Sequence, residues 1–244
     1  KWSEEYSIIN GYEDGTFRPD NSITRGAFAG ILDRFLKFQS TSPAGTFSDL
    51  SGNYWEDAIL KLHASGVYLG NNGQALAGDT ITRQQAVTMI ARAFNISGES
   101  ATVYYLDADQ VAEYARPYLA EMSALGYITD SSDGYFRPTD AITRAEIAAM
   151  IARCDGAYYT GSSTVFSDTY GHWAAGYIDR AYELGWINGY GTTYAPDRYI
   201  SRAETVAVLN RVLNRAPQYT SDLTRNYTTF SDVATSAWYY LDVE

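Results

Sequence analysis

The 244-residue chain has few of the residue types on which enzymes and nucleic-acid-binding proteins most often depend. Its only cysteine, Cys154, leaves no intrachain disulfide possible, and its place among apolar residues predicts a buried, inert thiol. Lysine and arginine total 18 against 29 acidic residues, and the net charge of −11 argues against bulk electrostatic binding to nucleic acid or anionic membrane. No apolar run approaches the roughly 20 residues of a membrane-spanning helix.

Catalytic signatures are also sparse. The two histidines, His63 and His172, lie about 110 residues apart, and no serine, cysteine or metal-ligand cluster has catalytic spacing. The abundant carboxylates keep a glycosidase-type acid pair as the enzymatic alternative. We therefore expect a protein that is not an enzyme and has no catalytic residue, metal or cofactor.

One short stretch recurs four times and organises the chain. At 142–146 it reads Ile-Thr-Arg-Ala-Glu, and related stretches begin at Ile23, Ile81 and Ile200, at spacings of 58, 61 and 58 residues. In three of the four, a threonine or serine is followed three residues later by Glu or Gln, the capping box of a helix start. Apolar residues at helical spacing then continue for about three turns, which predicts an amphipathic helix after each stretch.

Two arginines recur in every copy. The last-turn arginines are Arg34, Arg92, Arg153 and Arg211, and their position near a helix C-terminus predicts a structural role. The first-turn arginines, directly after the hydroxyl residue, are Arg25, Arg83, Arg144 and Arg202.

The first-turn arginines oppose the helix macrodipole and therefore need a negative partner. It is either an anion held by free helix N–H groups and the guanidinium, or a nearby acid such as Asp140 or Asp197. Spacing alone does not decide between them. If the anion is a ligand, Arg144→Ala and Arg202→Ala weaken its binding and leave the melting temperature nearly unchanged.

The recurrence divides the chain into four copies and a remainder. In order they span residues 1–45, 46–100, 101–163, 164–215 and 216–244, and the last range holds a polar linker and a terminal half-copy. The residue pattern of each copy predicts a helix, a glycine-rich turn and a second helix. We expect a mainly α fold whose repeats pack around a common axis, because one two-helix copy buries too little area to fold alone.

Two copies depart from the pattern. Copy one lacks about two turns of its leading helix, whereas the half-copy from Phe230 repeats only an opening, so we expect these parts to pack against the bundle ends or each other. Copy two lacks the Asp-Gly-x-Phe turn and has two glutamines after Arg83, which predicts little ligand binding there.

The motifs, taken in order, resemble the S-layer homology domain. They are Phe-Ser-Asp at 166–168, His-Trp-Ala at 172–174, Gly-Tyr-x-Asp-Gly-Thr-Phe-x-Pro at 11–19 and Ile-Thr-Arg-Ala-Glu at 142–146. The resemblance covers nearly the whole chain except the linker. It implies non-catalytic modules that attach exported proteins to bacterial cell walls, usually as a pseudo-threefold helical bundle. Grooves between modules are implied to bind secondary cell-wall polysaccharide, often through a pyruvylated sugar.

The resemblance implies a set of ligand-binding residues on the matching positions. They are Arg25, Arg144, Arg202, Glu146, Glu204, Gly11, Tyr12, Trp55, Trp173, Gly189 and Tyr190. Other surface-layer proteins are further candidate partners, and the implied location is the outside of the bacterial cell. The alternative function is a protein–protein assembly module, which would not bind isolated wall polysaccharide. Because the chain opens inside a copy, we also expect it to be a fragment of a longer protein.

Overall fold

The computed structural model describes residues 14–97, 102, 104–128, 133–154, 165–212, 214, 219 and 229–243. Gly11, Tyr12 and most of the predicted linker lie outside these residues, as do the side chains of Phe35 and Cys154. The chain divides into two compact units, Lys1–Ile23 with Thr143–Glu244 and Thr24–Ile142. Copies one to four denote the stretches 1–45, 46–100, 101–163 and 164–215.

Eight α-helices account for the regular structure of the described residues. They are α1 (Arg25–Leu36), α2 (Glu56–Ala64), α3 (Arg83–Ala93), α4 (Arg116–Ala124), α5 (Arg144–Cys154), α6 (Ala175–Glu183), α7 (Arg202–Val212) and α8 (Tyr240–Val243), with a 3₁₀ turn at Ala108–Gln110. Within the same residues, pairing between extended segments is limited to isolated bridges. The predicted mainly α fold of tandem repeats is confirmed. No helix in the described part is long and apolar enough to cross a membrane.

The predicted capping boxes start the second helix in copies two, three and four. In α5 the amide of Thr143 donates to Glu146 at 2.8 Å, and the amide of Glu146 donates back to the Thr143 hydroxyl at 3.3 Å. Ser201 and Glu204 repeat this arrangement at the start of α7. In copy one, which lacks the acid, the Thr24 hydroxyl alone accepts the amide of Ala27. Each of these helices therefore begins at its first-turn arginine.

Helices pair across the predicted copy boundaries. The second helix of one copy packs on the first helix of the next, giving the pairs α1–α2, α3–α4, α5–α6 and α7–α8. The last-turn arginines join these pairs: Arg92 lies 4.8 Å from the Tyr118 ring centre, and Arg153 lies 4.3 Å from that of Tyr177. These two contacts agree with the predicted structural role of the last-turn arginines. The helix pair that buries apolar area is thus formed by two neighbouring copies.

An aspartate in the segment that begins a copy holds the glycine-rich turn of that copy. In copy two, the Asp49 carboxylate accepts the amides of Ala75 at 2.7 Å and Leu76 at 2.8 Å. In copies three and four, Asp107 and Asp168 accept the two amides at the equivalent positions at 2.7 to 2.8 Å. In each copy, the second of the two residues whose amides bond to the aspartate has a φ near +55°, although it is not glycine. These residues are Arg18, Leu76, Arg137 and Ala195. Two charge-assisted hydrogen bonds stabilise that unfavourable backbone conformation.

The terminal segment, residues 229–243, supplies the aspartate that holds the copy-one turn. Asp232 accepts the amides of Phe17 at 2.6 Å and Arg18 at 2.7 Å, and the Phe17 and Phe230 rings lie 5.4 Å apart. The amide of Ser231 donates to the Gly15 carbonyl at 2.9 Å. The expected contact between the two incomplete parts is confirmed. The copy-one turn is therefore held by an aspartate 215 residues further along the chain.

Removing the carboxylate of Asp232 tests this closure. We expect Asp232→Ala to lower the free energy of unfolding by about 1–3 kcal/mol, because two amides in the copy-one turn lose their acceptor. Urea unfolding measures the change, and amide hydrogen exchange at Phe17 and Arg18 should accelerate. Asp20→Ala removes an exposed carboxylate from the same turn and should stay within about 0.5 kcal/mol of the parent. Equal effects of the two substitutions would contradict the assignment.

Candidate functional site

The amides at each second-helix start bond to the next turn. The amides of Arg25 and Gly26 donate to the carbonyls of Asp79 at 2.8 Å and Ala77 at 2.9 Å. Arg83, Arg144 and Arg202 repeat the contact, and Arg202 returns to Asn21 in the copy-one turn at 3.0 Å. The alternative in which free helix N–H groups hold an anion is therefore excluded for these first two amides, because backbone carbonyls already accept them.

All four first-turn arginines are buried. Their exposed fractions are 8% for Arg25, 5% for Arg83 and Arg144, and 2% for Arg202. Each guanidinium lies 4.3 to 5.1 Å from an aromatic ring centre in the next turn. Cations in such surroundings need a negative charge or a set of acceptors nearby.

In copy four the negative charge comes from the protein itself. Arg144 forms an ion pair with Glu204, whose side chain is 3% exposed, and donates to the carbonyls of Tyr194 at 2.9 Å and Asn188 at 3.1 Å. Arg198 and the Tyr190 hydroxyl also bond to Glu204. We call these six residues the copy-four groove. The structural alternative for Arg144 holds, but its acid is Glu204, since neither Asp140 nor Asp197 forms this pair.

The electrostatics of this cluster follow from its burial. Burial alone would raise the pKa of Glu204, but Arg144, the Tyr190 hydrogen bond, the Ser201 amide and Arg198 together hold it below its usual value. Burial and the bond to Glu204 raise the pKa of Tyr190, so its hydroxyl stays a donor. In the copy-four groove, Arg144 and Arg198 therefore share one buried carboxylate that the chain itself supplies.

Copy two builds the same junction around an open cavity. The cavity has a volume of about 540 Å³ and is lined by residues of α1, the copy-two turn, α3 and the segment before α4. The lining includes Arg25, Tyr68, Asn71, Asp79, Gln85, Arg92 and Tyr114. We call these seven residues the copy-two groove.

Hydrogen bonds shared by the two grooves establish which residues correspond. The carbonyls of Asp79 and Arg198 each accept the amide of a first-turn arginine, at 2.8 and 2.9 Å. The amides of Asn71 and Tyr190 each donate to the carbonyl three residues later. Gln85 and Glu204 each accept the amide of the helix-capping residue. Where copy four has Arg198, Tyr190 and Glu204, copy two therefore has Asp79, Asn71 and Gln85.

These three differences leave Arg25 without an ion pair, although it lies near enough to the Asp49 carboxylate to help lower the pKa of that group. Its Nε donates to the Tyr68 hydroxyl and the Ala75 carbonyl, both at 3.2 Å, and it forms no ion pair with any residue in the described ranges. Gln85, in place of a glutamate, brings no charge. The cavity thus has a buried cation on its wall, whereas the copy-four groove has an ion pair.

Several predicted site residues have structural contacts. A side chain added at Gly26 or Gly30 of α1 would collide with Trp55, so this tryptophan is packed against α1. Trp173 packs against the core cluster that contains Ile178. Phe166 approaches Gly189 so closely that a Cβ there would not fit. Glu146 caps α5, and Arg202 donates from Nε to the Phe17 carbonyl at 3.0 Å.

Other groove residues were missed by sequence reasoning. Tyr68, Asp79, Tyr114 and Arg198 line or close the two grooves but fall outside the recurring motifs. Matching residues 187–200 against 68–81 position by position would have identified Asp79 and Arg198 as a charge difference. Tyr114 comes from the region before α4, near the place of the family tryptophan that copy three lacks, but its part in a groove was not predicted.

The fold and its junctions define a tandem α-helical repeat module. A sequence model of the S-layer homology domain matches residues 1–29, 104–148 and 165–206. The chain belongs to the S-layer homology family, so it is a non-catalytic anchoring module of a cell-surface, wall-associated protein. Copy two lies outside the matched residues, yet Asp49 holds its turn as the equivalent aspartates hold theirs.

Three relatives, among others, are similar to this chain in sequence. The cell surface glycoprotein 1 of Acetivibrio thermocellus is 27% identical over 245 residues, which cover 96% of this chain and 8% of that protein. The cellulosome-anchoring protein of the same organism is 32% identical over 250 residues, covering 98% and 42%. The amylopullulanase of Thermoanaerobacterium thermosulfurigenes is 28% identical over 151 residues, covering 59% and 8%. The chain thus spans less than half the length of each relative.

The buried ion pair of the copy-four groove makes Arg144 important for stability. We expect Arg144→Gln to cost about 3 kcal/mol, the lower end for a broken buried pair, since Arg198 still faces Glu204. This reverses the sequence-based expectation that the melting temperature would hardly change. Arg137→Gln removes an arginine that forms an exposed ion pair with Asp133 and should cost at most about 1 kcal/mol. Equal losses in urea unfolding would rule out a stabilising pair.

The same pair predicts a pH dependence. Because the pKa of Glu204 is lower in the folded chain than its ordinary 4.5, its contribution is complete above that pH and is lost as the pH falls through the folded value. The difference in unfolding free energy between the parent and Glu204→Gln should therefore be largest near neutral pH and shrink below about pH 4.5. A difference that grows on acidification would contradict this sign.

Proposed function

We propose that this chain binds secondary cell-wall polysaccharide through a pyruvylated or otherwise anionic sugar held in grooves between copies. The observation that carries the proposal is Arg25, a residue that is 92% buried and that forms no ion pair with any described residue, on the wall of a cavity of about 540 Å³. An anionic group entering this cavity would supply the counter-ion that the copy-four groove obtains from Glu204.

Burial makes the unpaired charge of Arg25 unfavourable without a ligand. A charge taken out of water needs compensation from an opposite charge and hydrogen bonds. A carboxylate or phosphate meets both needs, because it accepts two parallel N–H groups from one guanidinium. The cavity also lies within the ~300–1,000 Å³ range of small-ligand sites. These features support a sugar bearing one acidic group.

The grooves are proposed to differ in strength, in the opposite order to the sequence expectation. Copy two, where a degenerate turn predicted little binding, has the open cavity. In copy four an external acid has to compete with Glu204 for Arg144, so we assign it weaker binding. Tyr190 takes part there with Arg144 and Glu204, and Arg202 is assigned to a further groove.

The remaining predicted site residues are assigned supporting or unlocated roles. Trp55, Trp173 and Gly189 support the grooves through the packing contacts described above. Glu146 occupies the capping position that Glu204 occupies in copy four, and we propose the equivalent role for it in copy three. Gly11 and Tyr12 lie outside the described residues and stay predictions.

The cellulosome-anchoring relative supports attachment as the purpose of this binding. In that protein the related segment is part of a polypeptide named for anchoring. We propose that this chain likewise holds its parent protein at the wall, with the polysaccharide as the attachment point.

Substitution of Arg25 tests the proposal. Arg25→Gln should weaken binding to purified sacculi by about ten- to a hundredfold, the loss expected for a charged hydrogen bond. Stability should change little, because Tyr68 still donates its hydroxyl to the Ala75 carbonyl at 2.6 Å. Lys37→Gln removes one exposed positive charge from the same unit and should bind as the parent does.

Two controls separate the alternatives. Sacculi stripped of non-peptidoglycan polymer should bind neither the parent nor the variants. If stripped and intact sacculi bind equally, the polysaccharide assignment is wrong. If Arg25→Gln binds like Lys37→Gln, the assignment of Arg25 as the binding residue is wrong. Binding to a surface-layer protein but not to intact sacculi would instead favour the assembly function.

A further inference from the structure

The copy-two groove differs from the copy-four groove by a reversal of charge. Asp79 stands where copy four has Arg198, and both positions follow the same turn and accept the amide of a first-turn arginine. In copy four, the cation at this position pairs with Glu204. In copy two, the partner position holds the neutral Gln85, so the carboxylate of Asp79 has a different role.

Asp79 and Arg25 are opposite charges on one cavity that do not pair with each other. Both line the cavity, and neither forms an ion pair with any residue of the described ranges, although the amide of Arg25 bonds to the Asp79 carbonyl. Asp79 is exposed, whereas Arg25 is buried. The side chains thus offer a cation inside the cavity and an anion at its solvent-exposed edge.

The other polar groups of the cavity add no second carboxylate. Arg92 lies over the Tyr118 ring at 4.8 Å. Burial raises the pKa of Tyr114, while the nearby Arg25, Gln85 and Arg92 oppose the rise, so its neutral hydroxyl faces these groups. Asp79 is therefore the only carboxylate among the cavity-lining residues, all of which lie in the described structure.

We propose that the copy-two groove selects a zwitterionic sugar, one whose acidic group binds Arg25 and whose protonated amine binds Asp79. This inference rests on the proposed function and narrows its ligand class. A singly anionic sugar would satisfy Arg25 but would leave Asp79 facing the ligand without a donor. A free amine on the same sugar ring removes that mismatch and adds a second ion pair.

Matched ligands test the selection. Calorimetric titration of the full chain at pH 6 would use the methyl glycoside of 4,6-pyruvylated N-acetylglucosamine and the same compound after removal of the acetyl group. The parent should bind the free-amine form about two- to fivefold more tightly, the range of an exposed ion pair. Asp79→Asn should abolish this preference, and Asp197→Asn, which removes an exposed carboxylate elsewhere, should keep it.

The outcomes distinguish failure of the zwitterion assignment from failure of the proposed polysaccharide binding. If Arg25→Gln weakens both ligands but Asp79→Asn leaves their ratio unchanged, the zwitterion assignment is wrong and anionic-sugar binding stands. A parent that prefers the acetylated form also overturns only the zwitterion assignment. If the parent binds neither ligand, both proposals fail.

Discussion

Each turn of this fold depends on one carboxylate that accepts two consecutive backbone amides. Asp49, Asp107, Asp168 and Asp232 all make this contact. It stabilises a non-glycine residue at positive φ, which would otherwise be unfavourable. The turn held in this way directs its carbonyls at the second-helix start of the preceding copy, and those carbonyls place the first-turn arginine. A contact near the beginning of each copy thus sets the position of the groove cation.

Local features of the fold were predictable from sequence, whereas helix partners were not. Capping boxes such as Thr143 with Glu146 depend on residues three positions apart, so a sequence pattern contains all the information they need. An apolar stripe shows which face of a helix is buried, but it does not show which helix covers that face. The pairing of α1 with α2, across a predicted copy boundary, therefore became apparent only in three dimensions.

The same limit applies to the grooves. The need of Arg144 for a negative partner follows from its position in a first turn, and sequence reasoning identified it correctly. The acids considered, Asp140 and Asp197, each lie a few residues before a first-turn arginine. The observed partner of Arg144, Glu204, lies 60 residues away in sequence. The open copy-two groove was likewise hidden, because its loss of a recognisable turn motif suggested lost function. Once hydrogen bonds align the turns, the same substitutions are seen to remove the groups that would neutralise Arg25.

The contact between the terminal segment and the copy-one turn has a mechanical consequence for an anchoring module. Asp232 and Phe17 are 215 residues apart in sequence, so their hydrogen bond closes a long loop of chain. The helix α8 is also attached to α7 through Asp242: its carbonyl accepts from Asn210 at 2.9 Å, and its carboxylate pairs with Arg211 at 3.3 Å. Pulling the terminal segment away from the rest of its unit therefore requires that both sets of contacts break.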